Sequence, residues 1–82
     1  MTPTELKTVL EGAFPGADVE IKDLTGTQDH YQARIVTSAF AGKSKIQQHR
    51  LVYAALGDAM KGAVHALALQ TYTPEDWAKS KS

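Results

Sequence analysis

Apolar residues at Leu6, Val9, Leu10 and Ala13 recur at the i, i+3, i+4, i+7 spacing of one helical face. This predicts an amphipathic helix over residues 2–14, with Thr2, Pro3 and Glu5 as its start signal. Pro15 and Gly16 in "FPGA" punctuate its end. "DVEIKD" then alternates, with Val19 and Ile21 on one side and Glu20 and Lys22 on the other, the period of a half-buried strand. "LTGTQD" reads as a loop, and "HYQARIVTSAF", rich in β-branched and aromatic residues, as a second strand. Two strands so joined are most simply an antiparallel hairpin.

"AGKS" breaks the strand, and Ser44 is placed to cap a helix. Across "KIQQHRLVYAALGDAM", Ile46, Tyr53, Leu56 and Met60 fall on one stripe. Gly57 and Asp58 predict a break into two helices, the second ending at Gly62. "AVHALALQTY" reads as the third strand. In "TPED", Thr73 is the cap and Pro74 follows it, opening a short terminal helix that Trp77 pins to the body. Residues 79–82 are expected to fray.

The predicted order is α-β-β-α-α-β with a short C-terminal helix. This is an α+β fold of two layers, with helices covering one side of a three-stranded mixed sheet. A connection through helices implies that strands two and three are parallel. If they are also neighbours, their first residues share one end of the sheet. His30 opens the second strand and His65 the third, so the two imidazoles would meet beside the "LTGTQD" loop.

The chain has 82 residues, so one domain spanning 1–82 is expected. Nine basic and nine acidic side chains cancel, which argues against a strongly electrostatic nucleic-acid binder. There is no cysteine, which excludes disulfides and any site built from this chain's own thiolates. No apolar run approaches the roughly 18 residues of a membrane span, and the start lacks the pattern of a secretory signal. The expected compartment is the cytoplasm, without membrane attachment.

Neutral histidine ligates iron, zinc and copper, so His30 and His65 are candidate metal ligands. Two ligands do not complete a tetrahedral site, and the rest would come from outside the chain. On pattern alone, an exposed loop residue (His30) and a hydrogen-bonded strand-end residue (His65) explain the same positions. His49 falls within the stripe of Ile46 and Tyr53 and reads as a packed, partly buried side chain. Lys43, Lys45, Arg50 and Lys61 give the middle of the chain a basic bias. Lys43 and Lys45 precede a helix start, where backbone N–H groups also favour a phosphate. A solvated helix face accounts for them equally. "GKSK" is not a nucleotide-binding P-loop, and it lacks the second glycine of the GXXG loop of KH domains. No nucleophile arrangement appears, and the chain reads as a non-enzyme.

"FAGKSKIQQHRLVYAAL" and "VHALALQTYTPEDW" closely resemble the BolA-like family, and the resemblance covers nearly the whole chain. The hairpin loop, ending in "DHY", looks more like the IbaG branch than like BolA itself. The resemblance implies a KH-like (class II) fold. It also implies a partner, a monothiol (CGFS-type) glutaredoxin, with which a [2Fe–2S] cluster is shared. In that complex the glutaredoxin and glutathione supply thiolates, and the isolated chain carries no cofactor. The family's histidine that opens the last strand corresponds to His65. A second ligand, Cys or His, comes from the hairpin loop, and His30 is the matching candidate here. The resemblance further implies an alternative role in DNA binding, transcription regulation and the stress response, for which Lys43, Lys45, Arg50 and Lys61 are the residues to suspect.

Overall fold

The computed structural model of the chain describes residues 3–23, 30–57 and 66–81. Helix α1 spans Pro3–Ala13, strand β1 Asp18–Asp23, strand β2 His30–Val36, helix α2 Lys45–Leu56, strand β3 Ala66–Tyr72 and helix α3 Pro74–Lys81. A 3-10 turn covers Ser38–Phe40. Thr2, the 24–29 loop and the expected second helix between Asp58 and Gly62 lie outside the described residues.

Leu6 and Leu10 of α1 are buried and Val9 is partly so. Ala13, expected on the same face, is exposed. Phe14 takes the core position instead, just past the helix, where its N–H donates to the Leu10 carbonyl at 2.9 Å. Gly16, at φ 82°, then reverses the chain in the left-handed region that glycine adopts without cost.

The sheet has the order β1-β2-β3. β1 and β2 pair antiparallel, with Ile21 opposite Ala33. β2 and β3 pair parallel, with Ala33 opposite Leu69. Both pairings agree with the expected topology. Alternation then sets two faces. Val19, Ile21, Tyr31, Ala33, Ile35, Leu67, Leu69 and Thr71 face α1 and α2. Asp18, Glu20, Lys22, Gln32, Arg34, Gln70 and Tyr72 face away from them.

The second strand ends earlier than "HYQARIVTSAF" suggests. Thr37 accepts a hydrogen bond from the Ala39 N–H at 3.2 Å and so caps the 3-10 turn. This turn drives Phe40 into the core, edge-on to Phe14 with centroids 5.4 Å apart. Strand propensity at Thr37 gave way to a local side-chain bond.

Ser44 caps α2 as expected. Its Oγ accepts from the Gln47 N–H at 3.2 Å, and Gln47 Oε1 accepts from the Ser44 N–H at 2.9 Å, closing a capping box. The expected stripe is corrected. Ile46 is 66% exposed and Tyr53 42% exposed; the buried side is Gln48, Val52 and Leu56, with Leu51 and Ala55 beside it. Leu56 is the one member of the expected stripe that is buried, and Met60 lies outside the described residues. A buried glutamine hides this face from a reading based on apolar residues alone. Gly57, at φ 54°, ends the helix, donating to the Tyr53 carbonyl at 3.0 Å.

α1 and α2 cover one face of the sheet. α3 does not join them. Thr73 caps it, accepting from the Asp76 N–H at 3.1 Å. Trp77 then lies over Arg34, on the sheet's far face. α3 continues through Lys81, past the Lys79 position where fraying is expected. Among the described residues, no helix is long and apolar enough to cross a membrane.

Candidate functional site

The condition on which the two-histidine idea rests is that the second and third strands run parallel as direct neighbours. They do, and His30 is in register with Ala66. Ala66 is the residue that follows His65 in the chain. His65 itself and the "LTGTQD" loop lie outside the described residues. For His30, the backbone position at the start of β2 is what the structure establishes.

Toward the opposite end of β2 from His30, the ladder is tied down on the side away from α1 and α2. Arg34 of β2 reaches across to β1, donating to Asp18 Oδ2 at 3.2 Å and pairing with Glu20 Oε2 at 3.1 Å. Its guanidinium lies 4.5 Å from the Trp77 ring centroid. The Trp77 indole also meets Tyr72 at 5.2 Å and the Lys81 ammonium at 4.8 Å. The Arg34 side chain is 19% exposed, so these pairs are better shielded than an open surface bridge, though both carboxylates remain wet. Arg34 Nε has no hydrogen-bond partner among the described residues. Sequence reading foresaw Trp77 as an anchor but not Arg34 as what it anchors to. The acids at Asp18 and Glu20 were the available signal, usable only once the register is known.

The basic candidates separate. Lys43 and Arg50 share an open depression of about 340 Å³ with Gly42, Gln47 and Leu51. The loop carrying Lys43 is held from beneath by Gln48, whose Nε2 donates to the Lys43 carbonyl at 2.9 Å and the Phe40 carbonyl at 3.3 Å. Gln48 was missed, because a glutamine in a helix reads as solvent-facing. Lys45 turns elsewhere: its Nζ donates to the Thr71 carbonyl on β3 and lies 4.6 Å from the Tyr72 ring centroid. His49 is partly buried, as expected, and lines a groove against Leu69 and Tyr72. Lys61 lies outside the described residues. Among the described residues, no three His, Cys, Asp or Glu side chains gather as a metal site.

Residues 3–76 match the family model of the BolA-like protein. The chain belongs to the BolA-like family. It is 37% identical over 82 residues to BolA-like protein 1 of Homo sapiens, covering 92% of this chain and 60% of that protein. It is 30% identical over 84 residues to the DNA-binding transcriptional regulator BolA of Escherichia coli, covering 94% of this chain and 80% of that one. The structure of a BolA protein homologue from Coxiella burnetii superposes with a TM-score of 0.82 at 32% identity, covering 95% of this chain and 97% of that one. The chain spans 60–61% of the length of the human, bovine and orangutan relatives it matches. The BolA-like match extends through the Lys43–Arg50 depression and the β2–β3 ladder alike.

Proposed function

We propose that this BolA-like chain is a non-enzymatic partner of a monothiol (CGFS-type) glutaredoxin. It shares with that partner a glutathione-assisted, bridging [2Fe–2S] cluster, in iron–sulfur trafficking and iron homeostasis in the cytoplasm. His65 and His30 are its ligands to the shared cluster. The observation that carries this reading is the parallel β2–β3 register, which sets His30 opposite the residue next after His65.

The donor set fits a half-site and nothing larger. With no cysteine in the chain, thiolates come from the partner and from glutathione. Imidazole ligation is compatible with a [2Fe–2S] centre and raises its potential relative to an all-thiolate site. Ligation requires the neutral imidazole with one ring nitrogen available to the metal, so cluster sharing is expected only where both histidines are deprotonated. The deciding experiment is reconstitution with such a glutaredoxin, glutathione, iron and sulfide, followed by visible absorption and circular dichroism. The expected result is a spectrum distinct from that of the glutaredoxin's own cluster, and lost in His65→Ala. An unchanged spectrum on adding wild-type chain removes the proposal.

A second reading is a KH-like nucleic-acid-binding regulator. It is supported by the name of the Escherichia coli relative and by the depression that joins Lys43 to Arg50. The balanced net charge weighs against it. Binding that falls steeply with salt, and falls further in a Lys43→Gln, Arg50→Gln variant, is its signature. Absence of binding to DNA or RNA at low salt removes it.

A further inference from the structure

Among the described residues β3 is an edge strand, paired with β2 on one side. Along a strand, the N–H and C=O of one residue point to the same side, and successive residues alternate. The Tyr72 carbonyl accepts from the Thr37 N–H at 3.1 Å, on the β2 side. The backbone groups of Thr71 and Leu69 therefore point outward. The Thr71 carbonyl bears this out, since it accepts from the Lys45 ammonium of α2.

A groove of about 300 Å³ follows this edge, lined by Lys45, His49, Leu69, Gln70, Thr71 and Tyr72. It has an apolar floor, Leu69, and no carboxylate in its lining. The neutral net charge conceals a strong asymmetry. From His30 through Gly57 there is no Asp or Glu, while Arg34, Lys43, Lys45 and Arg50 fall in that stretch. β3 itself carries no charge. The acids Glu5, Glu11, Asp18, Glu20 and Asp23 belong to α1 and β1, at the opposite edge of the sheet, while Glu75 and Asp76 open α3 just past the end of β3 and outside the lining of this groove.

Lys45 lies across the open edge like a strap. Its ammonium joins the Thr71 carbonyl to the Tyr72 ring, and Thr71 is 1% exposed although no strand among the described residues pairs with β3 on that side. A lysine so placed blunts an edge against indiscriminate pairing. It is also a mobile counter-ion on a flexible four-carbon stem. A carboxylate brought alongside competes for it and frees the Thr71 carbonyl to accept a backbone N–H.

We propose that the β3 edge is a docking site for an extended, acidic peptide segment of a partner protein. The segment adds as a fourth strand beside Leu69–Thr71 and takes Lys45 as its counter-ion. Outward N–H and C=O groups spaced along a strand match a peptide backbone better than a nucleic acid. A second copy of this chain, pairing β3 with β3 about a two-fold axis, would oppose Lys45 to Lys45. The proposal uses neither His30 nor His65, so it stands or falls apart from cluster sharing.

The test uses the full chain and an acetylated, amidated peptide alternating valine and glutamate, with a valine–lysine peptide as control. The readouts are affinity and amide hydrogen exchange by NMR. At saturation, exchange of the Leu69 amide is expected to slow at least about tenfold, because its N–H enters a new ladder. Lys45→Glu is expected to weaken the acidic peptide by about tenfold or more, equivalent to about 1.4 kcal/mol. Leu69→Pro removes an outward donor while sparing the β2 ladder, a placement edge strands tolerate. It is expected to abolish binding. If Leu69→Pro does not fold, the exposed Lys45→Glu change decides. Unchanged exchange at Leu69, or equal affinity for both peptides, overturns the proposal. So does protection of Leu69 by a single-stranded oligonucleotide in place of the peptide, or by raised protein concentration alone.

Discussion

Tyr31, Ala33 and Ile35 meet α1 and α2 on one face of β2. Gln32 and Arg34, their neighbours in sequence, lie on the other face, where Arg34 meets two carboxylates and Trp77. The first face is closed by many interchangeable apolar contacts, with Tyr31, Ala33, Ile35 and Phe40 all 0% exposed. The second is closed by a few directional ones, centred on one guanidinium and one indole. Hydrophobic burial is non-directional and scales with area, so the first face should dominate stability. The second contributes less energy but fixes where α3 sits and how β1 and β2 are aligned.

That contrast can be broken by substitution. Phe40→Ala empties a core position at the end of β2 and is expected to cost about 3–5 kcal/mol in urea unfolding. A loss below about 1 kcal/mol would mean that the helical face is not the energetic centre. Trp77→Ala removes the stack on the other face, with an expected cost of about 1–2 kcal/mol. Trp77 is the sole tryptophan, so its fluorescence in the wild-type chain reports this face directly. It should change with the global unfolding transition if α3 is docked throughout. A double-mutant cycle between Arg34 and Trp77 is expected to give a coupling of about 0.5–1 kcal/mol. Zero coupling would reduce the stack to plain area burial. The smallest effect belongs to Ile46→Ala, within about 0.5 kcal/mol of wild type, because this isoleucine is 66% exposed. A core-sized loss there would restore the stripe that periodicity suggested.

The elements whose burial rests on regular alternation were legible before the structure. β1 follows its apolar alternation from Asp18 to Asp23, and both caps, at Ser44 and Thr73, fall where their side chains indicate. The misreadings share a physical cause. The Gln48 Nε2 is spent on two carbonyls while its Oε1 has no partner among the described residues, so the inward face of α2 carries a polar residue that pattern reading assigns to solvent. Phe40 enters the core from a 3-10 turn, because Thr37 bonds its own backbone neighbourhood and ends the strand. Arg34 looks like a surface charge until the register places Asp18 and Glu20 beside it. For the site, composition and order led to parallel β2 and β3, and register put His30 level with Ala66. The family resemblance, now matched over residues 3–76, is what suggested the proposed partner, which two histidines alone cannot.

The most direct test of the proposed function is a spectroscopic titration of a cluster-loaded monothiol glutaredoxin with this chain. Wild type, His30→Ala and His65→Ala would be compared under identical glutathione. The expected result is a new visible circular dichroism spectrum with wild type, absent with His65→Ala and altered with His30→Ala. A spectrum that is the same with wild type and His65→Ala would contradict the half-site.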